Sequence, residues 1–225
     1  MSSLVHLIAA FVFAILGFYL VRRGKECLGT TVALAVFAFS AVFLLSVSGV
    51  YHIYPNETAM RGVMLRLDSV AIFLLIAGTY TPMHAILFKG IGRWGFLTLV
   101  WTLAITGITL KTIYFDQVPR WLSLAFYLGL GWLAVFSCTV LVRQRGLVFI
   151  ESLVLGGVAY SIGGVLNLFR TPTLIPGILG PHELWHLAVL VGLGFHWHFV
   201  YSIATGVEST TKEKEQQTTL AFEEY

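Results

Sequence analysis

The sequence predicts an all-α integral membrane protein that folds as a bundle of seven transmembrane helices. Of the 225 residues, 57% are hydrophobic and 11% are charged, whereas a soluble domain is about 25% charged. The apolar residues also form long runs, close to the ~20 residues that a helix needs to cross the hydrocarbon core. Alternating short segments typical of a membrane barrel are missing. We therefore expect helices to span the membrane.

Seven apolar runs follow one another along the chain with short loops between them. They cover residues 4–21, 28–51, 67–87, 94–110, 121–142, 147–168 and 184–203. The first run leads directly into Arg22 and Arg23 and carries no small-residue cleavage site, so we expect it to be retained as an anchor. Residues 1–206 are therefore predicted to form one transmembrane domain. Residues 207–225 are polar and charged, and they are predicted to be a disordered tail.

The remaining composition excludes several classes of protein. Cys27 and Cys138 are too few and too far apart to form a disulfide framework or a cysteine metal cluster. The net charge of +3 suits the basic flanks of membrane helices, and no nucleic-acid-binding motif is present. Lys and Arg are more frequent on the side that carries the C-terminus, which favours an external N-terminus under the positive-inside rule.

Ionisable residues near hydrocarbon are costly, so those at the ends of the runs are candidates for a function. His52 ends the second run, Asp68 begins the third, and His182 and His186 stand at the start of the seventh. His52 and Asp68 follow two crossings, and His182 and His186 follow six, so these positions all lie at the membrane face that carries the N-terminus. We therefore expect the four side chains to be neighbours.

The spacing of these residues predicts a metal site. His182 and His186 are four residues apart and share one helix face, as do Ser48 and His52. Three neutral histidines and a water form the open tetrahedral site typical of catalytic zinc. We predict Zn²⁺ at His52, His182 and His186. Asp68 is then a candidate catalytic residue that accepts a proton from the metal-bound water, and Ser48 a candidate hydrogen-bond partner there.

Structural explanations of the same residues remain open. Asp68 could form an ion pair with Arg61 or Arg66, and Ser48 could donate to a carbonyl of its own helix. An isolated histidine in such a chain is usually an interfacial residue whose polar tip reaches the lipid headgroups. Four histidines are assigned to that class: His6, His84, His196 and His198.

Residues 182–186 also read His-Glu-x-x-His, the pattern of soluble zinc proteases. In an intramembrane metalloprotease Glu183 would be the general base, and Asp68 could be the third ligand. The pattern fixes only three positions, and His52 fills the place of the third ligand equally well. The two interpretations therefore predict different ligand sets.

Three blocks of the sequence resemble the signature blocks of a known family. They are SVSGVYH at 46–52, LDSVAIFLLIAGTYTP at 67–82 and HELWHLAVL at 182–190. In this order they resemble the hemolysin III proteins, the bacterial branch of the superfamily that includes progestin and adiponectin receptors and alkaline ceramidases. The block AIFLLIAGTYTP is especially specific.

The resemblance implies a seven-helix zinc protein with ligands at His52, His182 and His186, and with Ser48 and Asp68 near the metal-bound water. Relatives with assigned chemistry hydrolyse a lipid amide such as ceramide, and the bacterial branch is linked to membrane-lipid homeostasis and, by name, to haemolysis. We therefore expect a zinc-dependent hydrolase of a membrane lipid, located in the bacterial plasma membrane.

Three alternatives to the lipid hydrolase stay open at this point. They are a non-catalytic membrane sensor or receptor with structural zinc, a membrane-perturbing cytolysin, and the metalloprotease. A membrane lipid is the expected substrate or ligand, and no nucleic acid or particular protein partner is predicted.

Overall fold

The computed structural model describes the backbone of residues 2–55, 58–176 and 178–223, and the side chains of 3–206 within those ranges. This part of the chain is helical, apart from loops and one isolated bridge between Ile175 and Leu179. Its helices are α1 (Ser2–Arg22), α2 (Leu28–Tyr51), α3 (Ala59–Leu87), α4 (Gly90–Ile113), α5 (Arg120–Trp132), α6 (Ala134–Arg145), α7 (Leu147–Phe169) and α8 (Pro181–Glu223).

Seven segments of the described residues are long and apolar enough to cross a membrane, with α5 and α6 together forming the fifth. The predicted all-α membrane fold is thereby confirmed, and the protein is a multi-pass integral membrane protein. The last span ends at Gly206, where the sequence placed the start of the tail. The side chains of residues 207–225 lie outside the described part, so the disordered tail stays a prediction.

The third span is longer than its hydropathy indicates. Helix α3 begins at Ala59, after Thr58 caps it by accepting a hydrogen bond from the backbone N–H of Arg61 (3.4 Å). The first turns contain charged residues and therefore escape a search for apolar runs. As a result Asp68 lies between two and three turns inside α3, and not at its first turn.

The fifth span is broken at Leu133, between α5 and α6. A break in a membrane helix leaves carbonyl groups without their usual partners, and these need another donor. The hydroxyl of Tyr80 on α3 supplies it, lying 3.0 Å from the carbonyl oxygen of Leu130 and 2.7 Å from that of Gly131. The break is therefore tied to the centre of the bundle.

Glycines allow the central helices to approach one another closely, as is common between membrane helices. A Cβ atom at Gly78 of α3 would collide with the side chain of Ser40 on α2. A Cβ atom at Gly192 of α8 would lie 2.9 Å from the ring of Tyr160 on α7. These contacts set the spacing of α2, α3, α7 and α8.

The assignment of isolated histidines to the lipid headgroups is wrong for three of the four. His6 and His84 are each 1% exposed, and the His84 ring bonds to the carbonyl of Gly92 (2.8 Å). His196 bonds through Nε2 to a carbonyl oxygen of α7 (3.1 Å). His198 is exposed. The depth of a residue in a span can be predicted from the sequence, but the side of the helix that faces the bundle interior depends on the neighbouring helices.

Candidate metal site

Three imidazoles meet at the membrane face where α2 ends and α8 begins. The Nε2 atom of His52 lies 2.9 Å from that of His186 and 3.2 Å from that of His182, and the latter two are 3.0 Å apart. Ligand nitrogens of tetrahedral zinc are separated by about 3.4 Å, given Zn–N bonds of 2.0–2.1 Å. The triangle is therefore close to the size that a bound metal ion needs.

Within the described part of the chain, these three histidines are the group of His, Cys, Asp or Glu side chains placed to hold a metal ion. The three residues named from the sequence are thus brought together. The set consists of neutral nitrogen donors, which suit zinc and its neighbours among the transition metals.

His52 is held at the end of α2 by its backbone and by the loop that follows. It is the C-cap residue, and its N–H donates to the carbonyl of Ser48 (3.4 Å). The guanidinium group of Arg61 donates to the carbonyl of Tyr54 (2.6 Å) and packs on the ring of Tyr51, 4.5 Å from its centroid. Arg61 therefore fastens α3 to the segment that carries His52.

The first turn of α8 positions His182. Pro181 is the first helical residue, where its missing N–H costs nothing. The carboxylate of Glu183 accepts a hydrogen bond from the backbone N–H of Gly180 (3.1 Å), as the third residue of a capping box does. Glu183 thus has a structural partner, and the third member of the triangle is His52 and not Asp68. This arrangement favours the three-histidine interpretation over the protease.

Exposure varies across the site. His182 is exposed, His52 is half-buried and His186 is buried. Burial, together with the neighbouring His182, lowers the pKa of His52 to about 4. This imidazole is therefore neutral at pH 7 and can offer a lone pair to a metal ion without first losing a proton.

Asp68 and Ser48 lie together, and Ser48 is about one helical turn before His52 along the chain. The half-buried carboxyl group of Asp68 on α3 is next to the hydroxyl of the buried Ser48 on α2. The two arginines considered as its partners are engaged elsewhere: Arg66 pairs with Asp116 (3.3 Å), and Arg61 binds the loop after α2. The ion-pair explanation of Asp68 is therefore not supported.

One residue at the site was missed from the sequence. His6 of α1 packs against His186, with ring centroids 4.3 Å apart. It has no second histidine at i+4, the pattern that identified the other candidates. The sequence feature that could have identified His6 is its place near the start of the first span, at the same membrane face as the three candidate ligands.

An apolar cavity of about 420 Å³ lies within the bundle, between α3, α5, α6, α7 and α8. Its walls include Ile72, one turn from Asp68, and Trp185, which precedes His186. It reaches Met83, about 16 Å farther along α3. The cavity thus begins near the site along the chain and extends into the hydrocarbon depth of the membrane, and none of the three histidines lines it.

Comparison with known proteins agrees with the three sequence blocks. Residues 1–197 match the family described as Haemolysin-III related. The chain is 32% identical over 161 residues to Hemolysin-3 of Bacillus cereus, covering 72% of this chain and 70% of that protein. It is also 32% identical over 161 residues to the Hemolysin-3 homolog of Bacillus subtilis (strain 168), covering 72% of each. The chain therefore belongs to the haemolysin-III-related family.

Proposed function

We propose that the protein is a zinc-dependent hydrolase of a membrane lipid, with an amide bond as the expected target and a role in membrane-lipid homeostasis. The observation that carries the proposal is the triangle of Nε2 atoms at His52, His182 and His186 in a bundle that also holds an apolar cavity. Zinc held by three neutral histidines makes a bound water nucleophilic near neutral pH.

The side chains beside the triangle have the chemistry that such a hydrolysis needs. In this proposal Asp68 takes the proton from the attacking water and delivers it to the leaving amine. In this proposal Ser48, which lies next to Asp68, orients its carboxylate as a hydrogen-bond donor. A carboxylate inside a membrane helix is costly, which supports a functional reason for this residue.

The cavity supports a lipid as the substrate. Apolar residues line it, and it is large enough to enclose part of a hydrocarbon chain. In this proposal a hydrocarbon chain in the cavity would leave the polar end of the lipid, with its scissile bond, at the end of the cavity near Ile72 and Trp185. Such a pocket favours a lipid over an extended peptide, which would leave backbone amides without partners.

The proposal is tested by Asp68→Asn in purified protein assayed with a fluorescent long-chain lipid amide such as labelled ceramide. We expect turnover to fall by about 10²- to 10⁴-fold, the range for loss of a general base, while the metal content stays at the wild-type value. Asp116→Asn is the matched control, because Asp116 is exposed and paired with Arg66. Wild-type-like turnover of the Asp68 variant would contradict the assigned role.

A second candidate function is membrane perturbation. The name hemolysin, which both Bacillus relatives carry, favours it. A cytolysin acts by disturbing the bilayer and needs no proton acceptor. Release of a trapped dye from lipid vesicles should then be equal for wild type and Asp68→Asn. Dye release that falls together with lipid turnover would instead favour the hydrolase.

A further inference from the structure

His6 is an imidazole buried in the bundle without a hydrogen-bond partner. Its side chain is 1% exposed, and neither Nδ1 nor Nε2 is hydrogen-bonded to any of the described residues. Burial of unpaired polar nitrogens opposes folding, so each such group needs an explanation. Phenylalanine or leucine would fill the same space without that cost. Packing alone therefore does not account for a histidine here.

The neighbour of His6 is the most buried of the candidate ligands. The rings of His6 and His186 meet edge to face, with planes at 84°. The Nε2 atom of His186 points toward His52 and His182. Other residues can therefore orient this imidazole only through contacts with the remaining atoms of its ring. The backbone carbonyl of His186 also faces the His6 ring.

The packing of α1 on α2 places His6 at this height. One turn earlier, the Ser3 hydroxyl donates to the carbonyl of Gly49 (2.7 Å). Next to His6, the side chain of Leu7 lies against Gly49, where a Cβ atom would approach it to 2.8 Å. Gly49 lies only three residues before the ligand His52. Because Ser3 and Leu7, on either side of His6, both contact Gly49, they hold His6 at the level of the site.

We propose that His6 is a positioning residue of the metal site. Its ring supports the ring of His186 edge to face, and its polar edge faces the His186 carbonyl, and these contacts together hold Nε2 of His186 toward the metal. In metal sites the residues behind the ligands fix ring orientation and raise affinity. The inference rests on the metal binding of the proposed function and is independent of its lipid chemistry.

Two substitutions separate the ring from its nitrogens. His6→Phe keeps an aromatic ring and removes both nitrogens, and His6→Gln keeps a polar group and removes the ring. Leu20→Ala is the control for packing, because Leu20 is fully buried in the same helix and lies about 21 Å farther along it. Zinc and cobalt affinity, the visible spectrum of the cobalt form and the melting temperature of the metal-free protein are measured for each.

We expect His6→Phe to weaken metal binding by about tenfold, as is usual for residues behind a ligand, and to shift the cobalt spectrum. His6→Gln should recover part of the affinity, and Leu20→Ala should leave affinity and spectrum unchanged. Metal-free His6→Phe should melt at or above the wild-type temperature, because an unpaired imidazole has been replaced by an apolar ring. A purely structural role would lower this melting temperature instead.

Wild-type affinity and spectrum in His6→Phe would overturn the inference and leave the proposed metal site intact. An equal loss of affinity in Leu20→Ala would also overturn it, because the effect would then be one of α1 packing. Failure of the wild-type protein to bind zinc or cobalt would overturn both the inference and the proposed function.

Discussion

The three candidate ligands are held in place by three different kinds of local contact. His52 caps a helix, His182 lies in a first turn closed by Glu183, and His186 is buried against His6. At the residue scale, the site is therefore built from capping and ring packing around the imidazoles. Substitution of a residue that positions a ligand should therefore affect zinc content and lipid turnover differently from substitution of the ligand itself.

Removal of a ligand should remove the metal. We expect His52→Ala, His182→Ala and His186→Ala each to reduce bound zinc from about one per chain to near zero, because two imidazoles retain zinc poorly. His198→Ala is the control, since His198 is an exposed histidine on the same helix as two of the ligands. Metal analysis of the purified variants provides the measurement. One zinc per chain in His52→Ala would refute the ligand set.

Glu183 should matter for the helix start and little for chemistry. Glutamine also serves at the third position of a capping box, so we expect Glu183→Gln to keep its zinc and to stay within about threefold of wild-type lipid turnover. The assay is the same lipid-amide hydrolysis as for Asp68→Asn. Complete loss of activity in Glu183→Gln would instead identify Glu183 as the general base and support the protease.

At the element scale, the site depends on how closely α2 and α3 approach, because they bring Ser48 and Asp68 together. Gly78 permits that approach, since its α-carbon faces Ser40 without an intervening side chain. The break between α5 and α6 is bound to the same helix α3 through Tyr80. Helix α3 is therefore the element on which the others are aligned.

Gly78→Ala should weaken the bundle. The added methyl group collides with Ser40, and overpacking of a close interface costs about 1–3 kcal/mol. We expect a lower melting temperature in detergent and reduced lipid turnover. Gly62→Ala is the matched control in the same helix, because a Cβ atom there meets nothing within 4 Å, and alanine favours a helix over glycine. Equal melting temperatures for the two variants would contradict the close approach.

Sequence periodicity predicts the local features of these helices and misses the features that depend on contacts between distant helices. Seven spans and the pairing of His182 with His186 follow from apolar runs and from an i, i+4 spacing, both of which are local. The break at Leu133 and the burial of His6 arise from contacts between distant helices. The capping role of Glu183 is also a local feature. It was not predicted, because the His-Glu-x-x-His pattern instead indicated a general base at this residue.

At the scale of the whole molecule, the metal triangle lies at one membrane face, and the cavity lies in the bundle interior, where Ile72 and Met83 of α3 both line it. The proposed substrate would therefore enter with its chain among α3, α5, α6, α7 and α8, and its polar end at the histidines. The length of the cavity then limits the length of the chain that can bind.

Partial filling of the cavity should select against long chains. Gly157 lines the cavity, and a Cβ atom there meets nothing within 4 Å, so Gly157→Leu adds volume without displacing a neighbour. We expect turnover of a long-chain lipid amide to fall by about tenfold, with short-chain turnover and zinc content unchanged. Gly194→Leu is the control, because Gly194 is exposed and similarly free of neighbours. Equal losses for both chain lengths would argue against the cavity as the chain-binding site.

The exposure of His182 beside the burial of His186 has a consequence for the direction of the proposed reaction. In that reaction water would reach the triangle from the aqueous side, and the lipid chain would approach from the membrane interior. Cleavage at this boundary would release the polar fragment into solution and leave the apolar fragment in the bilayer. The two products would enter different phases, so dilution of the polar fragment would disfavour resynthesis of the lipid without any further device in the protein.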